Sequence, residues 1–210
     1  MCAYVQRARN VLNEKDIQHD VEYIDPHMPP DWFFDVSPLE KVPVLLVDDQ
    51  PLFESMVICD YIDEVSDGSL YPADPFERAQ HRAWIAFADG LLGVVYDLLN
   101  AADETEFKRI KATVVDRLDV LEDELEIKKF FAGDNFSMVD IAYAPIFRFL
   151  TGIYKRTDLD LFEDTPQIKA WAERVLARSS VAGTVPEDYP QRLQKFLTRP
   201  DRVMKSLVTK

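Results

Sequence analysis

The chain has 210 residues, with 38 Asp and Glu against 24 Lys and Arg, and so a formal charge of −14. A surface this acidic repels nucleic-acid phosphate and anionic lipid, which need a basic patch. With 47% hydrophobic and 30% charged residues the composition is that of a globular chain of one large or two small domains. Two cysteines, Cys2 and Cys59, make no disulfide framework and suit a reducing, cytoplasmic setting. His19, His27 and His81 are scattered, and no Cys/His spacing matches a metal site. No run of about 18 apolar residues occurs, and residues 1–15 are too polar for a secretory signal.

Cys2 stands directly ahead of an amphipathic stretch whose apolar positions, Val5, Ala8, Val11 and Leu12, share one helical face. A cysteine at a helix start sits among backbone N–H groups at the positive end of the dipole, which favours thiolate over thiol. Residues 20–25 alternate enough to predict a short strand, stopped by Pro26. Residues 26–38, with four prolines and the cluster Trp32-Phe33-Phe34, predict a loop with at most a helical turn. Val42 to Val47, then Asp48-Asp49-Gln50, then Pro51-Leu52-Phe53 predicts a strand, a tight turn and a second strand. From Ser55 the period changes: Val57, Ile58, Tyr61, Ile62 and Val65 fall on one helical face, with Cys59 beside it as a packed thiol.

Gly68, Pro72 and Pro75 punctuate residues 67–75, which read as a linker between a domain at 1–66 and another at 76–210. Beyond it the strands vanish. Helices are predicted over 76–99, over 104–128 with the stripe Ile110, Val114, Leu118, Leu121 and Leu125, over 138–154 and over 166–178. Ser137-Met138-Val139-Asp140 reads as a capping box with Asp in the Glu position, so Asp140 is a structural carboxylate and not a base.

Three pieces lie in order: Cys2 at a helix start, Val42-Pro43 entering a hairpin, and Glu54-Ser55 at the next helix start. With the helical domain behind them they resemble the glutathione transferase superfamily, with the closest likeness to the omega, cysteine-type class. The stretches that carry this are Cys-Ala-Tyr-Val-Gln-Arg (2–7), Pro-Pro-Asp-Trp-Phe-Phe (29–34), Ser-Pro-Leu-Glu-Lys-Val-Pro-Val-Leu (37–45) and Phe-Glu-Ser-Met-Val-Ile-Cys-Asp-Tyr-Ile-Asp-Glu (53–64). The resemblance implies an α/β thioredoxin-like N-terminal domain followed by an all-α C-terminal domain. In the family a strand ahead of the cysteine lies mid-sheet; the sequence begins too late to hold it, so the expectation is a preceding segment that supplies it. Ala3 stands where the family pattern has Pro.

The resemblance also assigns roles. Val42 pairs its backbone with the cysteinyl unit of glutathione, as an added strand would, and Pro43 carries a cis bond. Glu54 and Ser55 hold the γ-glutamyl end, Ser55 at a helix N-terminus that favours a carboxylate. Lys41 adds a cation beside the glycyl carboxylate. Cys2 is the catalytic residue where many classes use Tyr or Ser, and a cysteine attacks a disulfide itself. Val5 stands where a dithiol motif has its second cysteine, so the expected enzyme is a monothiol transferase that reduces glutathione mixed disulfides, with dehydroascorbate as a further acceptor. Glutathione is the co-substrate, with no metal. The partners are a small electrophilic or disulfide acceptor and a second copy in a homodimer, with no nucleic acid and no membrane.

Two alternatives stay open on the same fold. One is a non-catalytic interaction protein: the starvation-protein type keeps Glu-Ser but lacks the cysteine, and the chloride-channel type keeps the cysteine but lacks Glu-Ser. The other is a transferase that conjugates or dehalogenates a particular electrophile. An acceptor pocket between the domains would draw on Tyr4, Trp32 and Phe87, with Trp84 and Tyr96 as further lining.

Overall fold

The computed structural model describes residues 2–25, 27–124 and 129–209. Helix α1 (Ala3–Glu14) opens it, with Cys2 as N-cap. Its buried face is wider than the predicted stripe: Gln6, Arg7 and Asn10 are buried beside Ala8, Val11 and Leu12. Each of these three polar residues has a distant partner, although Arg7 Nη2 and Asn10 Nδ2 are buried without one. Gln6 accepts from Arg148 (2.7 Å), Asn10 accepts from the Thr184 hydroxyl (2.6 Å), and Arg7 donates to the Ala142 carbonyl (3.2 Å). All three partners lie more than 130 residues away, so α1 is the seam on which the two halves of the chain meet.

The strand predicted over residues 20–25 does not form. The segment is irregular and mostly exposed, and among the described residues the sheet has two strands, neither of them adjacent to it. Alternation alone does not make a strand, because its backbone needs a paired neighbour. Residues 31–36 form a short helix, α2 (Asp31–Val36), slightly more than the single turn expected. Strand β1 (Val44–Val47) pairs antiparallel with β2 (Gln50–Phe53), Val47 opposite Gln50. The loop between them is therefore two residues, Asp48 and Asp49, both with positive φ (48° and 65°). That is the I′ hairpin geometry, and Asp is among the few non-glycine residues that adopt it readily. Val42 and Pro43 stay outside the ladder, and the bond between them is cis.

Helix α3 (Ser55–Glu64) forms where predicted, but its buried face is Ser55, Ile58, Cys59, Ile62 and Asp63. Of the predicted stripe Ile58 and Ile62 are buried, Tyr61 is partly buried, and Val57 and Val65 are exposed, because the helix turns the Cys59 side towards α1. After it, α4 (Pro75–Asn100) starts with Pro75 in its first turn, and the Asp74 carboxylate accepts from the backbone N–H of Phe76 and Glu77 (2.9 Å each). By length and composition α4 could cross a membrane, but its Ile85, Ala88, Leu91, Leu92, Val95 and Leu98 are packed inside the protein. Helix α5 (Glu104–Glu124) buries Ile110, Val114, Leu118 and Leu121; Leu125 and the rest of the predicted helix to 128 lie outside the described residues.

Helix α6 (Met138–Tyr154) is the centre of the second half, with all but Thr151 and Tyr154 buried. Its capping box is present. The Asp140 carboxylate accepts from the Ser137 N–H (2.8 Å) and hydroxyl (2.7 Å), the Phe131 N–H (3.1 Å) and the Trp171 indole N–H (2.6 Å). Burial pushes this carboxyl above its ordinary value, and the four donors oppose that. It acts as a clamp between α6, the 130–136 turn and α7 (Pro166–Ala177), in line with the structural role predicted for it.

Three short C-terminal helices were not foreseen: α8 (Ser179–Ala182), α9 (Tyr189–Leu197) and α10 (Val203–Leu207). They are too short for periodicity to stand out, and they form by docking. Arg199 donates to Asn100 at the end of α4 (2.9 Å), the Val203 N–H to Ala101 (3.0 Å), and the Thr209 N–H to Arg156 beyond α6 (3.0 Å).

Candidate functional site

The start of α1, the turn before β1 and the start of α3 bring the predicted residues to one edge of the N-terminal half. Cys2 is half-buried at the α1 N-cap, and its thiol faces the Val42 carbonyl at 3.8 Å. Residues forty positions apart are joined because the chain returns through the Ser37–Lys41 loop. There the Ser37 hydroxyl donates to the Lys41 carbonyl (2.8 Å) and accepts from the Lys41 N–H (2.9 Å). That bracket fixes the approach to Val42 and Pro43 while the Lys41 side chain stays exposed.

Glu54 links β2 to α3. It is a non-glycine residue with φ of 69°, the left-handed region, and such a residue costs on the order of 1–3 kcal/mol unless its surroundings impose it. Its carbonyl accepts from the Ile58 N–H (2.9 Å), so α3 begins here, and its side chain is exposed. Ser55, only 6% exposed, is the first residue of α3. A strained acidic residue followed by a helix N-terminus presents an acceptor for an ammonium group and donors for a carboxylate within two residues.

Tyr4 is the acceptor-pocket residue that the structure brings closest to this edge. Burial pushes its phenol up; the Arg7 guanidinium opposes that, and the negative potential of Asp89, Cys2 and Glu54 adds to it. Tyr4 thus remains a neutral hydrogen-bond donor beside Cys2. Trp32 packs edge-on against Phe33, and Phe87 packs against Trp84 with the Arg117 guanidinium 5.7 Å from its ring. Among the described residues no ring contact or hydrogen bond joins either of them to Cys2 or Tyr4.

Cys59 is fully buried, and burial pushes its thiol well above the ordinary range. It packs in the core, as its place beside the apolar face of α3 suggested. Among the described residues no group of three or more His, Cys, Asp or Glu side chains is arranged for a metal ion.

Sequence reasoning missed Arg7. It is fully buried, donates to the Ala142 carbonyl (3.2 Å), pairs with Asp89 of α4, and stands over the Tyr4 ring at 5.6 Å. It ties the first turns of α1 to the helical half directly below the site. The signal was present: Arg7 and Asn10 share a helical face with Ala3 and Val11, and charge on an inward face implies a buried partner.

Residues 1–65 match the family described as glutathione S-transferase, N-terminal domain, and residues 79–179 match glutathione S-transferase, C-terminal domain. The chain is 32% identical to glutathione S-transferase U28 of Arabidopsis thaliana over 88% of its own length and 84% of that protein's. Its fold is similar to that of the tau class glutathione S-transferase of mango, Mangifera indica (TM-score 0.82, 29% identity, 93% and 92% of the two chains). It is similar also to rice GST1 solved in complex with glutathione (0.82, 25%, 93% and 90%) and to glutathione transferase Omega 3C of Trametes versicolor (0.81, 25%, 89% and 86%). This chain therefore belongs to the glutathione S-transferase family: a thioredoxin-like N-terminal domain with a short sheet, followed by an all-helical domain. It is a glutathione transferase, and glutathione is bound in structures of its relatives. The expected omega class is not borne out: one fold neighbour is an omega enzyme, but the curated relatives are plant enzymes of tau type, and the superfamily is what the comparisons support.

Proposed function

We propose that this transferase joins the thiol of glutathione to a small electrophile, the acceptor entering beside Tyr4. The conjugating character of the plant relatives supports this over thiol transfer as the main reaction. The observation that carries the site is the convergence of Cys2, the cis Val42-Pro43 pair and the Glu54-Ser55 helix start on one edge, with the Cys2 sulfur 3.8 Å from the Val42 carbonyl. In this reading residues 1–66 bind glutathione. The Val42 backbone pairs with the cysteinyl unit beside Pro43, Glu54 accepts from the α-ammonium group, and the Ser55 helix start takes the γ-glutamyl carboxylate. Lys41 reaches the glycyl carboxylate. Residues 76–210 wall the acceptor side, with Phe87 on α4 and Trp32 on α2 as outer lining, and two copies associate as a homodimer.

Cys2 itself favours a second reaction. A Ser or Tyr hydroxyl can only stabilise the glutathione thiolate, whereas a cysteine thiolate attacks a mixed disulfide. The S–S bond breaks, the acceptor leaves as a thiolate that takes up a proton, and Cys2 is left joined to glutathione. A second glutathione thiolate then attacks that bond, releasing oxidised glutathione and free Cys2. Burial of Cys59 supports the monothiol course, since no other described cysteine can reach the intermediate.

One paired assay separates the two. Wild type and Cys2→Ser are each given glutathione with an activated chloronitrobenzene, and separately with a small glutathione mixed disulfide. Conjugation by wild type that persists within about tenfold in the serine variant supports the first reading, because serine can still donate to a thiolate. Disulfide reduction that vanishes with Cys2, with no aryl conjugation by either protein, replaces it with the second.

A further inference from the structure

Tyr4 lies on the same face of α1 as the buried Arg7, Ala8 and Val11, one turn nearer the start of the helix. There the core has run out, and Tyr4 is 40% exposed although it continues that inward face. The Arg7 guanidinium stands over its ring, 5.6 Å from the centroid. Arg7 is itself held from two sides, by the Ala142 carbonyl of α6 (3.2 Å) and by the Asp89 carboxylate of α4. One side of the Tyr4 ring therefore rests on a cation anchored in the helical half, and the ring stands where the start of α1 meets α4.

The hydroxyl at the end of that ring is unclaimed. Among the described residues it has no hydrogen-bond partner. Burial holds the phenol above its ordinary pKa, the Arg7 charge opposing, so at pH 7 it keeps its proton and can donate. Cys2 precedes it by two residues, and Cys2 and Glu54 both act on the phenol, so Tyr4 belongs to the edge on which glutathione is proposed to sit. Glutathione does not need it there. Val42, Glu54, Ser55 and Lys41 already take the backbone and the charged ends of that molecule in the reading above. A fixed ring with a free proton is left over for the acceptor.

We propose that Tyr4 is a second catalytic residue, whose hydroxyl donates to the carbonyl oxygen of an α,β-unsaturated carbonyl acceptor. This rests on the conjugating reading above and names the acceptor class for that same site. As the glutathione sulfur bonds to the β-carbon, the C=C pair shifts towards the carbonyl carbon and the carbonyl pair moves onto oxygen. The Tyr4 O–H meets that charge and passes its proton to it, giving an enol. The enol takes a proton at the α-carbon and loses the one on oxygen, and the phenolate recovers a proton from solvent, into which the glutathione thiol released its own. No oxidant or reductant is required. The Arg7 charge beneath the ring eases departure of the phenolic proton. One donor suits a carbonyl, which gathers the charge on a single oxygen, whereas a nitro group divides it between two.

The test compares kcat for two acceptors at saturating glutathione: 4-phenylbut-3-en-2-one, in which charge builds on oxygen, and benzyl chloride, in which it departs on chloride. In Tyr4→Phe the enone kcat is expected to fall about tenfold or more, as for a lost oxyanion donor that is partly open to water. The benzyl chloride kcat should stay within about twofold, with glutathione affinity by calorimetry unchanged. Equal losses on both acceptors would make Tyr4 a packing residue, and an enone kcat that does not fall would leave the hydroxyl without a role; either overturns the proposal. Wild type that conjugates benzyl chloride and not the enone overturns it too, while the transferase reading stands. Inactivity on both acceptors, in protein that binds glutathione, overturns the conjugating reading and this proposal with it.

Discussion

The N-terminal and C-terminal halves carry their burdens differently. The first holds the residues of the proposed glutathione edge on two four-residue strands and helix ends, and leaves Tyr23, Met28, Leu39 and Leu46 exposed. The second is built around α6, buried almost throughout, with Tyr143, Phe147 and Trp171 packed ring to ring at 4.7–5.7 Å. The half to which the proposed site belongs is thus the more open one, and it is steadied from outside: α1 lies against α6, α8 and Thr184 just beyond it through Gln6, Arg7, Glu14 and Asn10. Strain such as that at Glu54 persists only where the surroundings hold it in place, and α3, which Glu54 opens, is packed against α1 and the hairpin.

Substitutions can break this division of labour. Asp140→Ala should cost the most stability, about 3 kcal/mol or more, because it strands the Trp171 indole, the Phe131 N–H and the Ser137 donors in the interior. Urea unfolding midpoints measure it, and a loss under 1 kcal/mol would show that the clamp is replaceable. Cys2→Ser should do the reverse, leaving the urea midpoint where it was while mixed-disulfide reduction falls by roughly 100-fold or more, since the attacking atom itself is gone. Ser55→Ala should weaken glutathione binding about tenfold, the scale of a lost helix-start hydroxyl, with Cys2 still open to alkylation. Unchanged affinity by calorimetry would remove Ser55 from the site.

Cys59→Ala should cost about 1 kcal/mol of stability for the small cavity it leaves and should not touch the chemistry. A large loss of turnover would make Cys59 a participant. The smallest effect concerns the seam between the halves. Burial raises the Glu14 carboxyl, but hydrogen bonds from Arg178 (2.7 Å) and the Ser180 hydroxyl (2.6 Å), with the Arg178 and Lys15 charges, bring it below its ordinary value. A carboxyl held low in the folded state stabilises it above the unfolded-state pKa, and that contribution fades as pH falls through the folded value. The difference in urea midpoint between wild type and Glu14→Gln should therefore be larger at pH 7 than at pH 3. A difference that does not shrink on acidification would separate the Glu14 contribution from its charge.

The elements that came through from sequence are those with a strong local cause. Helices α3 to α7 follow from apolar spacing and, for α6, from the Ser137–Asp140 box, all interactions within a few residues; the Asp74-Pro75 start of α4 reads in the sequence only as part of a linker. The hairpin follows from Asp48-Asp49 between two apolar runs. The strand expected at 20–25 failed because a strand is stabilised by its neighbour and not by its own pattern. Helices α8 to α10 were invisible because what holds them, such as Arg199 on Asn100, lies about a hundred residues away.

The site divides along the same line. By itself the sequence determined that a thiol stands at the start of α1, that Glu54-Ser55 begins α3, and that Asp140 is a cap, because each depends on the backbone a few residues to either side. Only the tertiary structure decided that the Cys2 sulfur meets the Val42 carbonyl, that Arg7 is buried against Ala142 and Asp89, that Tyr4 borders the site while Trp84 lines a separate cavity, and that the His81 Nδ1 is left without a partner. The physical reason is that burial and long-range pairing depend on how whole elements pack. A side chain's neighbours across the fold are set by the sum of many contacts, and no local pattern encodes that sum.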